Sequence, residues 1–498
     1  MQHIAGLCAL GLVIVASPNL SSQPTKKDLC RNQSSETALP WYVTAAAIHR
    51  VTLRPTTRYW RAEHLSLNRL EAASQLRAWQ SEGIGAIEIF APEDGGNSYG
   101  GLDAKDRFRL DPGLGSMDDF RRLVRQVHAM HMAVVTFQNL GYAATDAPQF
   151  MKAEDDVRAG RSSRESRFFS WSDRADAPPP ATEDSYFLVK DPDEFWQWSD
   201  RARAFYWTKW PGIDLQGKPN HLPQYNWGAN EWPQEAFRVV DFWMNTGLDG
   251  MVVDAVNRYV GYDWKKNTAV IETIRRHPGA KLMVPEGSGA FHTNDPTGWI
   301  RDGEWTGLYD YGLDTPWEEE SRPMLESIKR GDPTMFEQAL RSYHDPVVAA
   351  GGILIQPVLD VGDPGKQRLE EALLATSGDM LCYCISDDNI RRPAPGISDL
   401  LLLKSRHPAL YQNSARRRIA TNHDTTLYAI LRYAADRSEK ILVVFNFSSE
   451  PITASVDARA INGSRYLDLE SGKMATIGSG TLSFDLAGYA HRIFRVEP

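Results

Sequence analysis

The sequence predicts an α/β fold: a (β/α)8 TIM barrel with a subdomain inserted after the third strand and a C-terminal antiparallel β-sandwich domain. Three observations predict it. Eight short apolar runs, most separated by amphipathic helical stretches, occupy residues 41–414. A stretch rich in Trp, Pro, Asp and Arg, residues 140–232, interrupts that alternation. From residue 415 to 498 the texture changes to short strand-like runs with turns at Asp436-Arg-Ser and Asn462-Gly. Buried apolar runs joined by helices form parallel sheets, and alternating runs joined by turns form antiparallel ones.

The elements follow in order. Residues 1–17 read as a signal peptide, because the apolar stretch from Ile4 to Ala16 is too short to span a bilayer and small residues precede Pro18. Cleavage would place the mature chain in a secreted or periplasmic location; an uncleaved anchor is the alternative. Residues 18–40 are polar and read as a linker. The barrel strands are expected at 43–48, 84–90, 133–138, 251–254, 282–285, 307–311, 353–359 and 380–385. Helices are expected at 70–82, with Leu70, Ala73, Leu76 and Trp79 on one stripe, and at 120–130 and 236–244. The sandwich strands are expected at 426–432, 441–446, 452–456, 481–486 and 491–496.

Composition excludes several functions. The chain of 498 residues carries 55 Lys and Arg against 64 Asp and Glu, a net charge of −9 that disfavours nucleic-acid partners. Four cysteines, at 8, 30, 382 and 384, cannot build a disulfide framework; Cys382 and Cys384 would sit side by side on one strand face. No membrane span is expected after signal removal. The 15 tryptophans are unusual, and seven of them (171, 196, 198, 207, 210, 227 and 232) crowd the insertion. Most are expected to pack the subdomain and at least one to stack on a sugar over the pocket mouth.

In barrels of this type chemistry sits at the carboxyl ends of the strands. The fourth expected strand ends at Asp254, the fifth at Glu286, and the seventh leads into Asp360 and Asp363. Acids there also cap the following helices, so each alone is ambiguous. Together they suggest a pocket. A paired nucleophilic carboxylate and proton-donating carboxyl is what retaining glycoside hydrolysis needs, at a separation of about 5–5.5 Å. Pro285 and the apolar strand before Glu286 are expected to desolvate its carboxyl and raise its pKa.

The order and wording of these segments resemble the α-amylase family of glycoside hydrolases. The stretch from Gly101-Leu-Asp103 to Asp111-Pro-Gly-Leu-Gly115 is similar to the segment after its second strand, and Leu222-Pro-Gln-Tyr-Asn226 to the end of its inserted domain. Gly247 to Asp254 resembles the nucleophile strand, Val284-Pro-Glu286 the acid strand, and Asp360-Val-Gly-Asp363 its third-acid motif. Val443-Val-Phe-Asn446 and Gly488-Tyr-Ala-His resemble its terminal sandwich. The resemblance implies Asp254 as nucleophile, Glu286 as acid/base and Asp363 as a third acid gripping sugar hydroxyls. Asp103, Tyr99, Asn139, Asp360, Leu102 and Val252 would line the substrate site. It implies an oligosaccharide or glucoside substrate and no cofactor; calcium, which Asn139 helps bind in some relatives, is not expected to be required.

Four positions depart from the family pattern: Val252 for an Arg, Leu140 and Gly362 for His, and Leu102 for an aromatic. These should line the site beside Asp254 and leave its carboxylate short of a donor, with a raised pKa. A compensating donor is expected from a basic residue of the insertion, His49, Tyr99 or Gln138. Three functions stay open: a glycosidase or transglycosylase with an altered glycon pocket, an inactive relative that binds carbohydrate or a protein, and a metal-dependent barrel hydrolase. His128 and His131 are expected on a solvated helix face rather than at a metal.

Overall fold

The computed structural model describes residues 39–52, 74–96, 101–177, 195–208, 211–213, 219–256, 260, 263–286, 295–309, 322–359, 361–383, 385–386, 389–390, 393–475, 477–478 and 480–497. The expected signal peptide and nearly all of the expected linker, Tyr99, Trp210, Asp360 and Cys384 lie outside the described residues.

Eight parallel strands form the barrel sheet: β1 Ala47–Thr52, β2 Ile84–Phe90, β3 Ala133–Asn139, β4 Gly250–Asp254, β5 Leu282–Pro285, β6 Gly307–Tyr309, β7 Ile353–Pro357 and β8 Met380–Tyr383. Their order, β5-β4-β3-β2-β1-β8-β7-β6, brings β5 and β6 to the two edges. Thr306 closes the gap, donating from its N–H to Met283 O at 3.0 Å and accepting Met283 N on its Oγ1 at 2.7 Å. Gly250 opens β4 where an added Cβ would lie 2.2 Å from Leu282 O, so only glycine lets β4 lie this close to β5.

Helices α1 Ser74–Ser81, α2 Met117–Ala129, α3 Glu231–Met244, α4 Trp264–Arg275, α5 Pro323–Arg330, α6 Pro364–Ser377 and α7 Ile397–Lys404 follow strands of the barrel. In α2, Phe120, Leu123, Val124 and Val127 face inward at helical spacing, and Ser116 with Asp119 forms a capping box.

The first strand differs from expectation. Residues Trp41–Thr44 make a helical turn, and β1 runs on to Thr52. The apolar run ends at Ile48 because the inward-facing residue two further on is Arg50. Its Nε pairs with Glu88 of β2, and its Nη2 donates to Tyr309 Oη of β6 at 2.6 Å. The Tyr309 hydroxyl in turn donates to Glu88. The guanidinium also lies 4.5 Å from the centroid of Phe137. A buried charge survives only with partners of this kind. Around it Phe90, Phe137, Val252 and Val284 sit side by side in register and fill the barrel, with Cys382 in the same core.

The insertion holds a helix, Pro148–Arg158, and a three-stranded antiparallel sheet ordered Trp171–Ser172, Ala204–Trp207, Trp196–Ser199. The C-terminal sandwich pairs a six-stranded sheet, Ala415–Ile419, Leu427–Tyr433, Lys440–Asn446, His491–Glu497, Arg465–Asp468 and Met474–Ala475, with a three-stranded one, Ile452–Asp457, Thr481–Leu486 and Ile477–Gly478. Side chains alternate along Leu427–Tyr433: Leu427, Ala429 and Leu431 enter the sandwich core, while Tyr428 and Ile430 join the barrel core.

That second face is also polar and buried. His344 Nε2 lies 3.2 Å from Asp379 Oδ1, just before β8. Arg416 of the sandwich pairs with Asp345 and Glu337. Lys404 donates to the carbonyls of Ala375 and Asp379, and Arg432 to that of Ser377.

Among the described residues, no helix is long and apolar enough to cross a membrane.

Candidate active site

The site forms where β3, β4 and β5 end together. Asn139 and Asp254 are in-register neighbours, the last residues of β3 and β4. Asn139 Nδ2 donates to Asp254 Oδ2 at 2.5 Å. Glu286 follows β5, and its N–H donates to Val253 O at 2.8 Å. Its side-chain Oε2 accepts the N–H of Ala255 at 2.9 Å. Glu286 is therefore held by the backbone N–H of the residue directly after Asp254, and both carboxylate residues are half-buried.

Ala255 supplies that N–H from a left-handed backbone, with φ at 45°. For a residue with a Cβ this costs about 1 kcal/mol or more. Strain of this kind directly after Asp254 is typical of a turn kept for its function.

Asn139 is itself held. Its Oδ1 accepts Gly141 N at 2.7 Å and Tyr142 N at 2.9 Å. Arg107, buried and paired with Glu93 at 2.8 Å, donates its other terminal nitrogen to Tyr142 O. Asp103 lies against the same loop: Ala144 N donates to Ala104 O, and Gly96 N to Asp103 O. The Asp103 carboxylate packs so closely on Gly96 that a Cβ there would come within 2.1 Å of Oδ2.

Of the other expected site residues, Val252 shares the inward face of β4 with Asp254, two residues before it, whereas Leu140 turns away. Leu140 does not line the pocket; its side chain is fully buried in the outer core between barrel and helices. Side chains alternate along a strand, so an inward Asn139 turns Leu140 outward. Val252 is a buried member of the barrel interior, the in-register neighbour of Phe137 and Val284. Leu102 is half-buried against that same core. Asp363 lies on the carboxyl side of β7, but its carboxylate is exposed and caps α6, accepting Gly365 N at 2.8 Å and Lys366 N at 2.9 Å. Gly362 is exposed in the preceding turn with φ at 73°.

Of the expected compensating donors, His49 faces outward, its ring centroid 4.2 Å from that of Trp79. Gln138 occupies the fully buried position between inward-facing Phe137 and Asn139. Among the described residues, Asn139, which the sequence placed among substrate-binding residues, donates to Asp254. His128 pairs with Asp249 at 2.7 Å. No group of three or more His, Cys, Asp or Glu that could hold a metal occurs among the described residues.

The tryptophans mainly build the subdomain. Trp196, Trp207, Trp227 and Trp232 are buried, and Trp198 is 46% exposed. Trp171 lines an open cavity of about 580 Å³ with Arg161, Arg167 and Asn226, none of them a residue of the carboxylate site.

Comparison with known proteins fits this geometry. Residues 90–297 match the profile of the α-amylase catalytic domain, and residues 439–495 that of the sucrose hydrolase-like C-terminal domain. A probable α-glucosidase of Rhizobium meliloti is 27% identical over 191 residues, 37% of this chain and 31% of the relative. A trehalose synthase/amylase of Mycobacterium tuberculosis is 24% identical over 157 residues, 32% of this chain and 24% of the relative. The matched part thus spans less than a third of either relative's length. Among solved structures, Eubacterium rectale Amy13B superposes with a TM-score of 0.69 at 13% identity, covering 96% of this chain and all of that one. An α-amylase from H. orenii superposes equally well, TM-score 0.69 at 14% identity, covering 91% of this chain and 100% of that one.

Proposed function

Because the barrel of this chain belongs to the α-amylase family of glycoside hydrolases, we propose that the protein is a retaining α-glycosidase or transglycosylase. Its substrate is an α-linked oligosaccharide or a glucoside. Asp254 attacks the anomeric carbon and forms a glycosyl ester as the leaving oxygen takes the Glu286 proton. Glu286 then removes a proton from the incoming water or sugar hydroxyl, which displaces Asp254. On the reading of residues 1–17 as a leader, this happens outside the cytoplasm.

The observation that carries the proposal is the hydrogen bond from Asn139 to Asp254, with Glu286 held through Ala255 N–H. An amide N–H steadies the ionised nucleophile without a positive charge, in place of the guanidinium missing at Val252. The apolar layer of Phe137, Val252 and Val284 keeps the dielectric low and strengthens that bond.

A second reading has one observation in its favour. Asp363 is exposed and its Oδ1 caps α6, a structural task that an acid in a relative that binds carbohydrate without turning it over could also keep.

Proton NMR of the first product separates the two. Purified protein is offered maltose, isomaltose, sucrose, trehalose and an aryl α-glucoside. Turnover of at least one, with the α-anomer released first, is the expected result. A β-anomer first contradicts the retaining mechanism. No turnover, with sugar binding unchanged by Asp254→Asn, replaces the enzyme with the binding protein.

A further inference from the structure

Two indoles of the chain that returns from the insertion converge on one backbone carbonyl. Trp227 Nε1 and Trp232 Nε1 each donate to Leu140 O at 3.0 Å, and both rings are fully buried. A buried indole needs an acceptor, and packing alone would be met by any two separate ones. Here both choose the residue directly after Asn139.

The peptide joining Leu140 to Gly141 is planar and trans, so its C=O and N–H point in opposite directions. Fixing the carbonyl therefore aims the Gly141 N–H, which donates to Asn139 Oδ1 at 2.7 Å. Gly141 is tied at its own carbonyl too, which accepts Tyr225 N at 2.8 Å, and the Tyr225 ring stacks on Trp232. With Gly141 N and Tyr142 N both on Oδ1, the atom that Asn139 presents to Asp254 is Nδ2. A flipped amide would set oxygen against carboxylate and lose both backbone bonds.

We infer that Trp227 and Trp232 are positioning residues for the nucleophile: by clamping the Leu140–Gly141 peptide they fix the Asn139 amide, and through it the orientation and protonation of Asp254. The inference rests on the reading of Asp254 as nucleophile. It gives the inserted subdomain a part in the chemistry beyond covering the pocket.

Phenylalanine keeps most of the ring and deletes the N–H, so Trp227→Phe, Trp232→Phe and their combination test the clamp, alone and on Asn139→Ala. Turnover is followed against pH, and 13C NMR follows the Asp254 carboxyl, assigned by its loss in Asp254→Asn. The double variant is expected to lose about 10- to 100-fold in kcat, the range for a hydrogen bond to a charged group, with KM nearly unchanged. Its acid limb and the Asp254 carboxyl midpoint should both move up in pH. Adding the pair to Asn139→Ala should change neither further.

A double variant with wild-type kcat and wild-type carboxyl midpoint overturns the inference. So does a full second loss on top of Asn139→Ala, which would mean that the indoles serve the fold alone. Should the double variant not fold, the single replacements carry the same comparison. Should the wild type turn over no sugar, the enzymatic reading fails, yet the carboxyl titration still decides whether the clamp sets Asp254.

Discussion

Asp254→Asn and Glu286→Gln should each lower turnover by about 10⁴-fold or more, as loss of a nucleophile or general acid does elsewhere. The two losses should differ in kind. An amide at 254 cannot form the ester, so every substrate suffers. An amide at 286 cannot supply a proton, so the loss should shrink on an aryl glucoside whose leaving group departs without one. Asp363→Asn is the control, because asparagine caps a helix as well as aspartate does. With Oδ1 capping α6 through Gly365 N and Lys366 N, a bond that asparagine keeps, that variant should keep its stability and lose less than about tenfold in rate. Circular dichroism and steady-state rates on all three variants check the set.

The second large effect is on stability, at the face shared by barrel and sandwich. Burial pulls the pKa of His344 down, but the charge of Asp379 and a hydrogen bond to Asp345 outweigh it and raise it to about 9. The folded protein then binds a proton that the unfolded chain, titrating near 6.5, releases. This contribution is complete below pH 6.5 and is lost as pH rises through 9. Lys404 behaves in reverse. Burial lowers it from 10.5 to about 7, so folding expels its proton and stability climbs between pH 7 and 10.5. The two slopes oppose between pH 7 and 9, and urea midpoints of the wild type should be nearly flat there. His344→Gln should leave stability rising with pH, and Lys404→Met should leave it falling from pH 6.5 to 9. Asp379→Asn removes the charge that keeps His344 protonated, so the imidazole should become neutral and the variant should lose about 2–3 kcal/mol at neutral pH. Identical pH slopes in all of these variants would remove the network from the account.

Most of the fold was legible because most barrel strands bury apolar side chains. Residues 84–90 and 282–285 match their strands end to end for that reason. Strand β1 was set too early because the residue inside the barrel is Arg50, and only its partners Glu88 and Tyr309, far along the chain, reveal it as a core residue. The carboxylates at 254 and 286 were legible from strand ends, as barrel chemistry requires. Leu140 was misplaced although the signal was present: an inward residue at 139 forces the next one outward. The role of Asn139 was not legible. It depends on which way an amide faces, and Gly141, Tyr142 and two tryptophans about ninety residues later settle that.

The central claim is a covalent bond between sugar and Asp254. A fluorinated α-glucosyl fluoride, which forms the ester quickly and releases it slowly, should add one sugar to the intact protein by mass spectrometry. After digestion the label should sit on the peptide that contains Asp254 and be absent from Asp254→Asn. A label on another carboxylate, or no label while the reagent is still hydrolysed at the site, would contradict the assignment of Asp254 as the nucleophile.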